Sequence, residues 1–215
     1  MKKLSDIFGS IFAKGEDPFA VTEPFELIAA RPAAEICGDF ELQEEAKPHL
    51  SGEPMPHEFV DRLVRARLYA DATRFLAYGL PKREAVWWAC LCVRNVPTCC
   101  GDEISTEALQ AAEAWVKEPT EGNRQAAFAA GGKHNFEMPT APAAWTAMAA
   151  CWSGGAYVTT EEEDIPAPPE HLTAHAASGA ILLAATNNPD QAKEMYRKFL
   201  ETGVQIAQGK MQISS

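Results

Sequence analysis

The stretch "LPKREAVWWACLCVR", residues 80–94, decides the fold class. From Ala85 to Val93 every side chain is apolar or a thiol. A helix turns once every 3.6 residues, so such a run leaves no polar face, and a helix apolar all round lies in the middle of its domain. The local signals agree. Pro81 suits a first helical position, Glu84 complements the positive end of the helix dipole, and Pro97 stops the run. The competing reading is a working site with Trp87 and Trp88 as a platform and Cys90 and Cys92 as thiols. Helical geometry weighs against it. Cys90 and Cys92 point about 200° apart and share no metal while the helix is intact. Trp87 and Trp88 project about 100° apart, so each packs between different neighbours. Arg83 and Glu84 at the start are expected to tie the helix to a neighbour by charged hydrogen bonds. The stretch therefore reads as core.

Helical patterning extends outward from it. Residues 57–79 read as one long amphipathic helix, with Phe59, Leu63, Ala66, Ala70 and Ala77 on one face, widened by Val60, Val64 and Phe75, and Gly79 at its end. Downstream, helices are predicted near residues 106–117 with Ser105 as N-cap, near 121–131 before Gly131 and Gly132, from Thr140 onward, over 169–186, and from Asn188 to Ala207. The last opens with Asn188, Pro189 and Gln191 in capping-box order. No strand alternation of useful length occurs, although residues 156–160 suit a short extended piece. The prediction is an all-α fold: a single globular domain of about seven antiparallel or orthogonally packed helices with a proline-rich N-terminal arm. Its boundaries are residues 1–56 for the amphipathic segment and arm, and 57–215 for the helical domain. Six prolines between Pro18 and Pro56 leave room in the arm for only a short helix around 31–37.

Bulk properties narrow the function. The chain has 215 residues, 47% of them hydrophobic, enough for a core without staples. Its formal net charge of −11 repels phosphate backbones and anionic lipid, so neither nucleic acid nor a membrane is an expected partner. No apolar run approaches the ~18 residues of a membrane span. Asp6 and Lys14 interrupt the apolar start, no small-residue cleavage site follows, and a cytoplasmic location is expected. The six cysteines then read as reduced.

No motif for chemistry completes itself. There is no Cys-x-x-Cys, and Cys99 and Cys100 are vicinal. His171 and His175 stand four apart, but "HLTAH" lacks the glutamate of a zinc protease helix. The acidic run Glu161, Glu162, Glu163 and Asp164, in a loop over 153–170, lacks the ligand ladder of a calcium loop. Walker and Gly-x-Ser-x-Gly patterns are missing. The expectation is a protein with no catalytic residues, no metal and no cofactor. An enzyme using Cys99, Cys100 or the histidine pair is the competing reading. What remains is surface. Leu4, Ile7, Phe8, Ile11 and Phe12 form one helical stripe, which docks either on its own domain or in a partner's groove. The acidic loop is either a solvated face or a surface for a basic partner, with solvation the first reading. Arg62, Arg65, Arg67, Arg74, Lys82 and Arg83 form a basic stripe that suits internal acidic groups.

The stretch that opened this reading also carries a resemblance. Arg83, Glu84, Ala85, Val86, Trp87, Trp88 and Ala89 resemble the shared Arg-Glu-Ala-Val-Trp-Trp-Ala core of an uncharacterised family of bacterial proteins of similar length. The likeness is looser over 57–209 and does not extend to residues 1–56. Members are associated with type VI secretion genes. The resemblance implies a non-enzymatic adaptor or chaperone that loads an effector onto the secretion spike, with an effector, spike protein or companion adaptor as its protein partner. An immunity protein that neutralises a toxin is the alternative from the same setting. The resemblance implies no catalytic residue.

Overall fold

A computed structural model describes residues 19–134, 140–154 and 168–213, together with the backbone of Tyr157–Val158 and Asp164–Ile165. It is all-α. The helices are α1 (Ala33–Cys37), α2 (Pro56–Arg65), α3 (Tyr69–Gly79), α4 (Lys82–Arg94), α5 (Glu103–Lys117), α6 (Glu121–Gly132), α7 (Pro142–Cys151), α8 (Leu172–Thr186) and α9 (Ala192–Ala207). Short 3-10 turns stand at Lys47–Leu50, Pro97–Cys99 and Pro189–Gln191. Among the described residues the β structure is one two-residue antiparallel ladder, pairing Tyr157 with Ile165 and Val158 with Asp164.

The predicted helix over 57–79 is two helices, so among the described residues eight α-helices rather than seven follow residue 55. The break is a Schellman turn. Arg67 takes a left-handed φ of 63°, its N–H donates to the Val64 carbonyl, and the Leu68 N–H donates to the Leu63 carbonyl at 2.9 Å. Glycine usually fills that position because a side chain there is strained. An arginine stands there instead, so the sequence carried no punctuation. Ala66, expected on the inner face, is exposed as a result, whereas Phe59, Leu63 and Phe75 are buried. Gly79 also differs from its predicted part. It is the last residue of α3, and a Cβ on it would come within 3.0 Å of Ile28. Its bare backbone admits the N-terminal stretch. The cap of α5 is Asp102, which accepts the Ser105 N–H at 2.8 Å, rather than Ser105 itself.

Helix α4 packs against α5, α7, α8 and α9. Trp88 is fully buried and its indole N–H donates to the Phe199 carbonyl of α9 at 2.8 Å. The ring packs on Gly203, where a Cβ would sit 2.5 Å from Cζ2. Cys90 and Cys92 are buried as well. The helix nevertheless keeps one partly exposed stripe, Glu84, Trp87, Leu91 and Arg94, so it is not enclosed on every side. Trp87 is half-buried against the core, and Arg94 makes a two-pronged ion pair with Glu113, both contacts at 2.6 Å.

Donors from elsewhere in the chain close three helix C-termini, whose last carbonyls have no partner within their own helix. Arg83 reaches the Val116 and Lys117 carbonyls of α5 at 2.7 and 3.0 Å. Arg124, only 4% exposed, donates to the Cys151 carbonyl of α7 and pairs with Glu121. The Glu26 and Leu27 N–H groups both donate to the Ala207 carbonyl of α9, at 2.8 and 3.0 Å. Arg83 therefore makes the charged tie expected of it. Glu84 has no hydrogen bond or ion pair among the described residues, and its place is explained by the helix dipole alone.

The last of these closures comes from the proline-rich stretch. Residues 19–55 form a strap that contributes Val21, Phe25, Ile28, Ile36 and Leu42 to the same core as the helices. The short helix expected near 31–37 is α1. Much of the basic stripe holds the strap down or stays within its own helix. Arg62 donates to the His49 and Ser51 carbonyls of the strap, Arg65 pairs with Asp61, and Lys82 pairs with Glu170.

Replacing Trp88 by alanine removes a fully buried indole, and the expected cost is about 3–5 kcal/mol of stability in denaturant unfolding. Wild-type unfolding of Trp88→Ala would move this residue out of the core and back among candidate binding residues.

Candidate functional site: a groove between the strap and α8

Four segments surround an open groove of about 1050 Å³. The strap contributes residues 39–45, and α3 contributes Arg74 and Tyr78. Trp145 comes from α7, and α8 presents His171, His175, Ser178, Gly179 and Leu182 at helical spacing, with Leu183 beside them. Two contacts set the strap against α3. Phe40 packs on Tyr78 with ring centroids 4.8 Å apart, and the Gln43 N–H donates to the Asp71 carboxylate at 3.2 Å. Asp71 is fully buried; Arg74 lies 3.5 Å from the same oxygen, while its second oxygen has no partner. Trp145 meets His175 and Trp152 edge-on, at 6.0 and 6.4 Å. Its buried indole N–H has no partner.

The groove has an aromatic and aliphatic lining with a charged edge of one sign. Phe40, Tyr78, Trp145, Leu182 and Leu183 offer apolar surface. Asp39, Glu41, Glu44 and Glu45 stand exposed on the strap side, with Lys47 pairing Glu44. Arg74 is the guanidinium in the lining, and it faces the buried Asp71. Burial, with Asp39 nearby, raises the Tyr78 phenol above its usual pKa, so Tyr78 is a neutral hydrogen-bonding group.

A smaller pocket of about 270 Å³ adjoins the groove and shares Asp39, Tyr78 and His171 with it. Lys82 reaches the Glu170 carboxylate and the Ser153 carbonyl there. Thr173, also in its lining, is fully buried and its hydroxyl has no partner among the described residues.

The structure sorts the residues predicted from sequence. His171 and His175 share the groove. Arg83, Trp87 and Trp88 serve packing and capping, away from it. Leu4, Ile7, Phe8, Ile11 and Phe12 lie outside the described residues, as do Glu161, Glu162 and Glu163. Asp164 is described only in its backbone, in the short ladder. Sequence reasoning missed Phe40, Tyr78 and Trp145. Their one available signal was the register of α8, where positions 171, 175, 179 and 182 mark a single face.

Burial makes poor nucleophiles of Cys37, Cys90, Cys92 and Cys99. Burial pushes Cys37 up to about 12, with Asp71 adding to the effect, and Cys99 to about 11. Burial raises Cys90 and Cys92 further. Ser178 donates to the His175 carbonyl of its own helix. Among the described residues no group of three histidines, cysteines or carboxylates is placed to hold a metal ion. The groove presents stacking surface, hydrogen-bonding groups and carboxylates.

A labelling experiment checks the state of the thiols. At pH 8 in the folded protein, Cys37 and Cys99 are expected to stay unmodified by iodoacetamide, because well under about 1% is thiolate so far below such pKa values. All six cysteines react once the chain is unfolded. Fast modification of Cys99 in the folded protein would show an activated thiol and favour the enzymatic reading.

Residues 59–207 match a family described as a family of unknown function, DUF6931. No curated protein and no solved structure matches the chain significantly. The family match covers most of the chain and begins in α2, so the strap precedes it. The chain belongs to this family.

Proposed function

We propose that this member of the DUF6931 family is a non-enzymatic adaptor or chaperone that acts by binding another protein through the groove between the strap and α8. The observation that carries the reading is the groove itself, about 1050 Å³ of aromatic and aliphatic lining edged by Asp39, Glu41, Glu44 and Glu45. Apolar anchors at the centre of an interface supply affinity, and charges at its edge select the partner. The resemblance carried by residues 83–89 supplies the setting: the partner is a secreted effector, a spike protein or a companion adaptor of a type VI secretion system, met in the cytoplasm. Among the described residues no helix is long and apolar enough to cross a membrane, which is compatible with that setting.

The test is affinity capture of the tagged full chain from its native cells, run beside Leu183→Glu. Leu183 is half-buried in the groove lining, so a carboxylate there spoils the apolar surface with little loss of core. The expected result is stoichiometric recovery of an effector or spike component by the wild type and at least about a tenfold loss with the variant, as for an interface anchor. Melting should be nearly unchanged. Recovery of a toxin whose activity the protein blocks would assign the immunity reading instead. Equal recovery by both proteins would remove the groove from the account.

A further inference from the structure

We infer that the occupant of the groove is a basic amphipathic segment of the partner protein, seating apolar side chains against Trp145 and the Phe40–Tyr78 pair and one cationic side chain in the adjoining Asp39–Thr173 pocket. This rests on the groove being the binding surface, and it adds the chemistry of what binds there.

Two independent observations point to a cation. The first is the charge of the edge. Asp39, Glu41 and Glu45 make no ion pair among the described residues, and a strap segment carrying four carboxylates in seven positions attracts positive charge. The second is the Thr173 hydroxyl, fully buried in the lining of the side pocket and without a partner among the described residues. An unpaired buried hydroxyl is costly, and a ligand group that bonds to it recovers that cost. The groups around the pocket select the ligand's polarity. Lys82 already takes the Glu170 carboxylate and the Ser153 carbonyl. The Asp39 carboxylate remains, with the lone pairs of the Thr173 hydroxyl. The carboxylate only accepts and the hydroxyl accepts as well as donates, so the carboxylate sets the polarity, and an ammonium or guanidinium group, which only donates, can bond to both. With Lys82 and Glu170 balancing each other, Asp39 is the pocket's unbalanced charge, and it repels an acidic side chain.

The shape selects a segment rather than a small molecule. The groove face of α8 runs from His171 to Leu183, on the order of 18 Å at 1.5 Å per residue. That length accommodates about three turns of helix laid along it. Apolar residues on one face of such a helix meet Trp145, Leu182 and the Phe40–Tyr78 pair, and basic residues on its flank face the strap carboxylates.

The probe is a fluorescein-labelled amphipathic peptide of fifteen residues, with leucines at i, i+3, i+4 and i+7 and lysines flanking them. Its control carries glutamates in place of the lysines. Anisotropy titrations use the full chain. The lysine peptide is expected to bind at least about tenfold more tightly than the glutamate peptide, and to weaken as salt rises. Asp39→Asn combined with Glu41→Gln and Glu45→Gln should remove most of that preference. Thr173→Val should leave melting unchanged or raised, since it deletes an unpaired hydroxyl, and should weaken the lysine peptide by about threefold or more.

Failures separate cleanly. If Leu183→Glu abolishes capture of the natural partner but the two peptides bind alike, the groove stands and the cationic inference falls. If neither peptide binds and Leu183→Glu changes nothing, both fall. The chain's own residues 1–15 carry Lys2, Lys3 and Lys14 around the Leu4 to Phe12 stripe, so they share the inferred chemistry. If the lysine peptide binds only when Lys2→Glu, Lys3→Glu and Phe8→Asp are combined in the full chain, the occupant is this segment and the partner inference is overturned.

Discussion

The structure depends on a tryptophan lying on a glycine. Trp88 of α4 occupies the space that a side chain at Gly203 of α9 would fill, and its N–H ends on the Phe199 carbonyl one turn earlier. The contact joins residues more than a hundred positions apart and brings the C-terminal helix against the central one. That placement has a second consequence. The end of α9 is where the strap attaches, through the two N–H groups that meet the Ala207 carbonyl. The strap in turn carries Phe40 and the carboxylates of the groove. A packing contact in the core thus sets the position of a surface more than one helix away.

The fold class was legible because hydrophobic periodicity is a direct report of burial. The run from Ala85 to Val93 announced a buried helix, and the segments around it announced the others. Two failures are instructive. Arg67 sits in a left-handed conformation that sequences ordinarily mark with glycine, so the break between α2 and α3 was silent. Gly79 looked like a stop signal, and Gly203 drew no reading at all. Both are places where another part of the chain approaches the backbone, Ile28 in one case and Trp88 in the other. A glycine reports that something needs the room and does not report what.

The candidate site was far less legible. A groove is a relation between elements, and here it draws on the strap, α3, α7 and α8, whose members are more than a hundred residues apart. His171 and His175 attracted notice as a possible metal pair, and they are instead the exposed edge of a lining completed by Trp145, Tyr78 and Phe40. The thiols drew notice for their reactivity, and in Cys90, Cys92 and Cys99 burial raises the pKa by desolvation. The most unusual residues of the sequence serve the core. The groove is built from residues that look ordinary one at a time.

The most direct test is a double-mutant cycle between Trp88 and Gly203, read by denaturant unfolding. In an open helix interior Gly→Ala is stabilising by about 1 kcal/mol, whereas Gly203→Ala in the wild type is predicted to destabilise because its Cβ meets the indole. In a Trp88→Phe background the smaller ring leaves room, so the same change should lose most of its cost, a coupling on the order of 1–3 kcal/mol. Additive effects, or a Gly203→Ala protein more stable than the wild type, would contradict the account that this contact sets the position of α9 and the strap.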